Sequence, residues 1–387
     1  MKYLVIGDSN SMHIFNFVKT FLLPSGYDVY LLTLSTQPIR EDYREYYRQN
    51  KITVFSIADK NYKSLNKRDS ASRVVNLWRK LRLMKYVPHV DICHVHSVYK
   101  TAIAMVLSNR KKFDRLILSY WGGDIEDRKP ETIKLRERCF PIADVITVTV
   151  QQTMHDFWAV HGHAYDKKLR VTRFSTKGID CIAQLSRTTT RNDCRDYYHI
   201  PCNKICITCG YSAYAEQHQD DCLREMMKLP AELREKIYVI VPMQYGRFDE
   251  EYIQRVHRAK SECDYECTIL EEYVPFEVSA KLAVATDIYL HLRDSDAFSN
   301  SLKEHVYAGS TVVTGKWLKY IELEQMNAPI VSIESIEELH NILSELIGNA
   351  RIADTFKLFA PMYELYSTSS VRDQWEDTVA QALMGDK

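Results

Sequence analysis

The stretch DAFSNSLKEHVYAG, residues 296–309, sets Asp296 and Glu304 eight positions apart and closes on Ala308-Gly309. Apolar runs flank it, 287–292 before and 311–314 after, and both read as strands. Strand, loop, helix and strand in that order make one unit of a parallel sheet. Glu304 then opens a helix beyond a strand's carboxyl end, where open α/β sheets bind their ligands. A carboxylate in that place accepts hydrogen bonds from the hydroxyls of a ribose or a sugar.

The same alternation continues toward both termini. Strands are expected at 3–6, 29–34, 53–56, 92–95, 116–120, 145–148 and 170–172, with helices at 13–23, 72–85, 100–108 and 151–161. A second series follows, with strands at 205–209, 237–241, 267–270, 287–292, 311–314 and 330–332. Its helices fall at 217–228, 249–260, 275–285, 299–308 and 335–347, and 370–384 forms a last one. Helices between successive strands imply parallel crossovers, so the fold class is α/β, two tandem Rossmann-like doubly wound domains. The polar run SRTTTRND within 181–200 loses periodicity and reads as a linker. The expected division is 1–182, 183–365 and a C-terminal segment, 366–387.

Composition agrees with a two-domain protein of 387 residues, 45% apolar and 26% charged. No apolar run approaches a membrane span, and MKYLVIGDSN at the start is too short a run for a signal peptide. Ten scattered cysteines fit reduced thiols of a cytoplasmic protein. Net charge is zero, but residues 1–187 hold 31 Lys and Arg against 18 Asp and Glu, while the rest hold 20 against 33. A positive first half and a negative second half imply either an anionic partner for the first or mutual attraction of the two. Helix 72–85 sets Val74, Leu77, Trp78, Leu81 and Met84 along one side among five Lys and Arg. Such a stripe either lies on an anionic membrane or, more commonly, packs on its own sheet.

Six quoted segments together resemble the family-4 glycosyltransferases of GT-B architecture that build bacterial surface polysaccharides. They are GDSNSMHIFNFVKTFLLPSGYDVYLLTL (7–34), DICHVHSVYKTAIA (91–104), LILSYWGGDI (116–125), ADVITVTVQQTMHDF (143–157), RVTRFSTKGID (170–180) and the opening stretch. The resemblance implies two domains facing a cleft, a nucleotide-diphosphate sugar as co-substrate, and a glycan or lipid-linked glycan as acceptor. It also implies a C-terminal helix that crosses back to the first domain and retention of the anomeric configuration. Location at the inner face of the cell membrane and no further cofactor go with it. Two departures stand out. Asp296 replaces the usual Glu, and the loop CGYSAYAEQHQDD (209–221) lacks the Arg and Lys that meet the donor diphosphate. That loop, with YVIVPMQYGRFDEEYIQRV (238–256), looks more like transferases of acetamido-dideoxygalactose to lipid-linked intermediates.

A departing diphosphate gains negative charge, and stabilising it takes cations or helix N-termini. Arg247, Arg293 or both are expected to supply the missing cations, with Gly210, Tyr211, His218, Ser299 and Ser301 lining the donor. Glu304 is expected on the ribose and Asp296 beside the sugar hydroxyls. On the acceptor side stand His13, His96, Trp121, Gly123 and Asp124, the last as a candidate base or else a turn cap. One of His94 and His96 is expected to face inward and the other outward, with His96, at the strand end, the functional one. Asp294-Ser-Asp296 is a DxD triplet, yet tandem α/β domains favour a metal-free site. Gly7-Asp-Ser-Asn-Ser is not a dinucleotide fingerprint, and no nucleic-acid module is present. A nucleotide-sugar epimerase and a non-catalytic glycan-binding protein remain the alternatives.

Overall fold

The computed structural model describes residues 1–58, 70–349 and 356–385, with side chains from Val75 onward in the helix Ser70–Leu83. The chain divides into two compact units, Met1–Phe174 with Val371–Lys387, and Ser175–Ser370. In the first, β1 (Lys2–Gly7), β2 (Asp28–Thr33), β3 (Thr53–Phe55), β4 (Val90–His96), β5 (Phe113–Tyr120), β6 (Val145–Val148) and β7 (Leu169–Val171) make one sheet. Every pairing is parallel, in the order β3-β2-β1-β4-β5-β6-β7. β1 lies between β2 and β4, with Tyr3 opposite both Val29 and Ile92. Helices cover both faces, so its residues from Tyr3 to Gly7 are all buried and read as one apolar run.

The second unit repeats the plan with β8 (Ile205–Cys209), β9 (Ile237–Pro242), β10 (Glu266–Leu270), β11 (Ile288–His291), β12 (Thr311–Gly315) and β13 (Ile330–Ile333). Their order is β10-β9-β8-β11-β12-β13, again all parallel. In both sheets the strand order reverses beside the first strand, where the loops beyond the carboxyl ends gather ligands. Gly7, His96 and Tyr120 end the three central strands of one sheet, and Cys209 and His291 end those flanking the reversal in the other.

Two expectations change. The stretch 181–200 is not a linker but parts of two helices, Lys177–Thr188 and Arg191–Tyr197. Thr190 caps the second through its hydroxyl on the Asp193 N–H, and Asp193 answers on the Thr190 N–H. The polar run is therefore a reciprocal cap. The division accordingly falls after Phe174, and residues 175–182 and 366–370 join the second unit. The units then carry 31 basic against 21 acidic residues and 20 against 30.

The second change concerns helix Ser70–Leu83. Leu83 and the following Met84 are buried, but Trp78 is 56% exposed and Val75 39%, so the stripe does not pack whole against the sheet. At the other end of the chain, helix Thr368–Met384 is amphipathic in the ordinary way. Trp375 is 2% exposed, packs its ring 4.8 Å from Phe17 and 5.2 Å from His94, and donates its indole N–H to the Arg173 carbonyl at 3.0 Å. All ten cysteines are free.

Candidate functional site

In the second unit the decisive side chain is Glu304. Ser299 caps the helix Asn300–Ala308, its hydroxyl accepting from the Leu302 N–H, and Gly309 ends it in the left-handed region at φ 86°. Glu304 thus sits on the second turn, 6% exposed, with no hydrogen-bond partner among the described residues. Burial pushes its carboxyl up to about 7, against the partial relief of the neighbouring Lys303 ammonium. Its carboxylate fills the space over Gly178, where an added Cβ would come within 2.1 Å of Oε1. Gly178 is the second residue of helix Lys177–Thr188, so the carboxylate lies against that helix's first turn.

Asp296 has a different task. Burial is opposed by His291, whose Nε2 lies 3.2 Å away, by the Ser299 N–H at 2.8 Å and by Arg293, and the balance holds its carboxyl below the usual range. The Tyr320 hydroxyl donates to the same Oδ2 at 3.0 Å. With its side chain so occupied and 3% exposed, Asp296 fixes the loop between β11 and the helix. Asp294 points elsewhere, to His218 Nε2 at 2.7 Å, so the DxD pair does not converge. Among the described residues no three His, Cys, Asp or Glu side chains converge to hold a metal ion.

Arg293 and Arg247 part company as well. Arg247 pairs with Glu271 at 2.6 Å, each about 40% exposed or less, and makes a surface ion pair. Arg293 is central. Its guanidinium contacts the Tyr211 hydroxyl, the Glu216 carboxylate and Asp296, while its Nε is buried without a partner. The Tyr211 ring stacks on His291 at 5.9 Å. Gly210 adopts φ +69°, and its N–H is taken by the Leu290 carbonyl at 3.0 Å, so that N–H completes the sheet. A Cβ there would also meet Gln217 and Gln219 at 2.9 and 3.0 Å. Ser301 accepts from the Tyr289 hydroxyl at 3.1 Å, and His305, stacked on Tyr289 at 3.8 Å, donates Nδ1–H to the Ser301 carbonyl. Glu216, Tyr320 and Gly178 escaped the sequence reading because each comes from a segment remote from the motif it serves, and His291 because it read only as part of the strand before the motif.

In the first unit, His13, His96 and Trp121 do come together. Trp121 meets His13 edge-on at 5.5 Å and His96 at 5.7 Å, and Phe174 packs 5.1 Å from Trp121 and 4.8 Å from His13. His96 is 1% exposed with neither ring nitrogen partnered, and the Trp121 indole N–H is likewise buried and unmatched. Burial, with the nearby His13, holds the His96 imidazole down to about 3, so it is neutral. Unpaired buried donors of this kind cost free energy unless a ligand answers them. His94 and His96 do not face opposite ways. Two positions apart on a strand, they share a face, with ring centroids 3.9 Å apart. His94 is held by the Tyr3 and Ser119 hydroxyls at 2.8 and 2.6 Å.

Asp124 caps its turn. Its carboxylate accepts from the Val98, Trp121 and Gly122 N–H groups at 2.7, 2.9 and 3.1 Å, and it is 1% exposed. Those bonds partly offset the burial that raises its carboxyl. Gly123 lies exposed on the same turn, and Gly122 carries its positive φ of 109°.

Residues 2–149 match the glycosyl transferase 4-like family. No curated protein sequence matches the chain. Among solved structures, the chain is similar to HepE of Anabaena in complex with UDP and glucose, at 12% identity over 98% of this chain and 99% of that one, with a TM-score of 0.65. Sucrose-phosphate synthase of Thermosynechococcus elongatus gives 11% identity, 99% coverage of each chain and a TM-score of 0.70. The UDP-forming trehalose-phosphate synthase of Burkholderia xenovorans gives 12%, 98% and 99%, and 0.61. Two parallel sheets of seven and six strands with these neighbours are the GT-B glycosyltransferase fold.

Proposed function

We propose that this chain, a glycosyltransferase by the family of its first domain and by its fold, moves a sugar from a nucleotide-diphosphate sugar to a glycan or lipid-linked glycan. The observation that carries the proposal is Glu304, a buried carboxylate without a hydrogen-bond partner among the described residues, on the second turn of a helix that follows a strand's carboxyl end. A ribose diol supplies the two donors that such a group lacks. Two of the similar structures hold UDP, which supports a uridine nucleotide as the first donor to try.

Arg293 is the cation for the diphosphate, with Tyr211 and His218 beside the same loop. To take that role Arg293 exchanges its contact with Glu216 for the phosphate oxygens. The acceptor lies on the first unit, where the His96 ring nitrogens and the Trp121 N–H offer donors and acceptors to sugar hydroxyls. His13 stands with them. Transfer retains the anomeric configuration, the acceptor attacking from the leaving group's side, and proceeds without a metal ion. The setting is bacterial surface polysaccharide synthesis in the cytoplasm, at the inner face of the membrane.

The test is a panel of nucleotide-sugars incubated with and without lipid-extract acceptors, following nucleotide release and the fate of the sugar. Release that requires the acceptor supports transfer. An altered sugar without release indicates an epimerase, and binding without turnover indicates a glycan-binding protein. Glu304→Ala should abolish calorimetric nucleotide binding, and a chelator should leave the rate unchanged.

A further inference from the structure

We infer that Glu216 is a built-in competitor for the diphosphate: its carboxylate holds the Arg293 guanidinium until a diphosphate takes its place. The inference deepens the proposed donor site and rests on Arg293 as its cation. It begins with the departure in the loop after β8. Where a diphosphate calls for cations, residues 209–221 contain no Arg or Lys, and the charged side chain they bring to Arg293 is an acid, Glu216.

Three acids lie about Arg293, and they are not equivalent. Asp296 is 3% exposed and tied to His291, the Ser299 N–H and the Tyr320 hydroxyl. Asp294 turns to His218 Nε2 at 2.7 Å. The Glu216 side chain is 34% exposed, and among the described residues its carboxylate bonds to Arg293 alone. The backbone there is anchored. The Glu216 carbonyl accepts from the Asp294 N–H at 3.1 Å, and the neighbouring Gln217 amide donates to the Ser212 hydroxyl at 3.1 Å. The carboxylate can therefore swing into solvent while its loop stays in place. Burial and the charges of Asp294 and Asp296 raise the Glu216 carboxyl, with partial relief from His218, so its ionised form is disfavoured where it sits.

Arg293 stays aimed after the exchange. Asp296 at 3.4 Å and the Tyr211 hydroxyl still hold the guanidinium, which lies 5.4 Å from the Tyr211 ring, and the Arg293 carbonyl accepts the Trp317 indole N–H at 2.8 Å. Its planar fork suits a phosphate as well as a carboxylate, so one anion replaces the other on the same donors. The fork is open only in the fraction of molecules whose Glu216 has swung away, and apparent affinity falls by that fraction. The donor and the nucleoside diphosphate left after transfer are weakened alike, which keeps the leaving nucleotide from being held. A nucleoside that does not reach Arg293 is unaffected.

The experiment is titration calorimetry of the full chain and of Glu216→Gln with inorganic pyrophosphate, UDP and uridine. Glu216→Gln should tighten pyrophosphate and UDP by about tenfold, through loss of a half-buried ion pair and of charge repulsion, and leave uridine unchanged. Glu216→Ala should behave in the same way. In an Arg293→Ala background the substitution should lose most of that gain, which a merely structural Glu216 would not show. Equal pyrophosphate affinity in parent and Glu216→Gln overturns the inference, as does a gain that persists in full without Arg293. So does a Glu216→Gln chain that binds no pyrophosphate, or a gain for uridine equal to that for UDP. The two readings fail separately. UDP that binds parent and variant alike leaves the donor site standing and removes the role of Glu216. A pyrophosphate gain in a chain that turns over no nucleotide-sugar counts against the catalytic reading and leaves the competitor standing.

Discussion

Glu304 and Asp296 belong to one motif and do opposite things, and solvation explains why. Asp296 is buried among donors and is held ionised as a structural link. Glu304 is buried without donors, its carboxyl raised from 4.5 to about 7, so it is poised for a ligand that brings them. Because the folded value exceeds the unfolded one, the folded state holds the proton more tightly. Stability is full below about pH 4.5, falls as pH rises toward 7 and then levels, a loss of about 3 kcal/mol from the shift. Glu304→Gln removes the titration. Its melting temperature should exceed the parent's by several degrees at pH 8 and match it near pH 4.5, and a difference independent of pH would contradict the assignment. Hydroxyl donors from a bound ribose favour the ionised form, so nucleotide binding should release a proton near neutral pH. The spacing of the two acids was legible in the sequence, but their division of labour was not, because the Tyr320 hydroxyl reaches Asp296 from 24 residues along the chain and the inward turn of His291 is set by the fold.

At the scale of elements, every strand expected from the apolar runs is present, most within two residues of its bounds. Central strands of a parallel sheet are buried on both faces, so the signal is strong and local. Helices were less legible. Lys177–Thr188 and Arg191–Tyr197 hid behind a polar stretch whose Thr190 and Asp193 cap a helix instead of loosening a linker. Helix Thr368–Met384 shows how remote packing fixes an element. Trp375 touches Phe17 and His94 and bonds to the Arg173 carbonyl, three partners spread over the first unit. Trp375→Ala should cost about 3–5 kcal/mol, read as a lower denaturation midpoint of that unit. A change below 1 kcal/mol would mean the helix is not docked there.

For the whole molecule, the second unit is one continuous segment, and its two ends are tied to each other. The Thr176 N–H bonds to the Tyr366 carbonyl at 2.9 Å, and the Thr368 N–H reaches both Asp180 oxygens at 3.2 Å. Such a segment has the closed ends of an independent domain. Residues 175–370 expressed alone should therefore melt cooperatively and bind the nucleotide within a few-fold of the full chain. A fragment that lacks a cooperative transition would show that the first unit is needed to fold it.

What the sequence determined by itself was the periodic part: two α/β sheets, their strands, and the chemistry of a helix-borne carboxylate. Those follow from local apolar patterning, which survives in any window of a dozen residues. What only the tertiary structure decided was which polar groups are spent. Asp124 went to three backbone N–H groups, Arg247 to a surface pair and Gly210 to its sheet, while His96 and Trp121 kept unanswered atoms. Hydrogen-bond satisfaction depends on neighbours far along the chain, and a sequence read segment by segment carries no record of them.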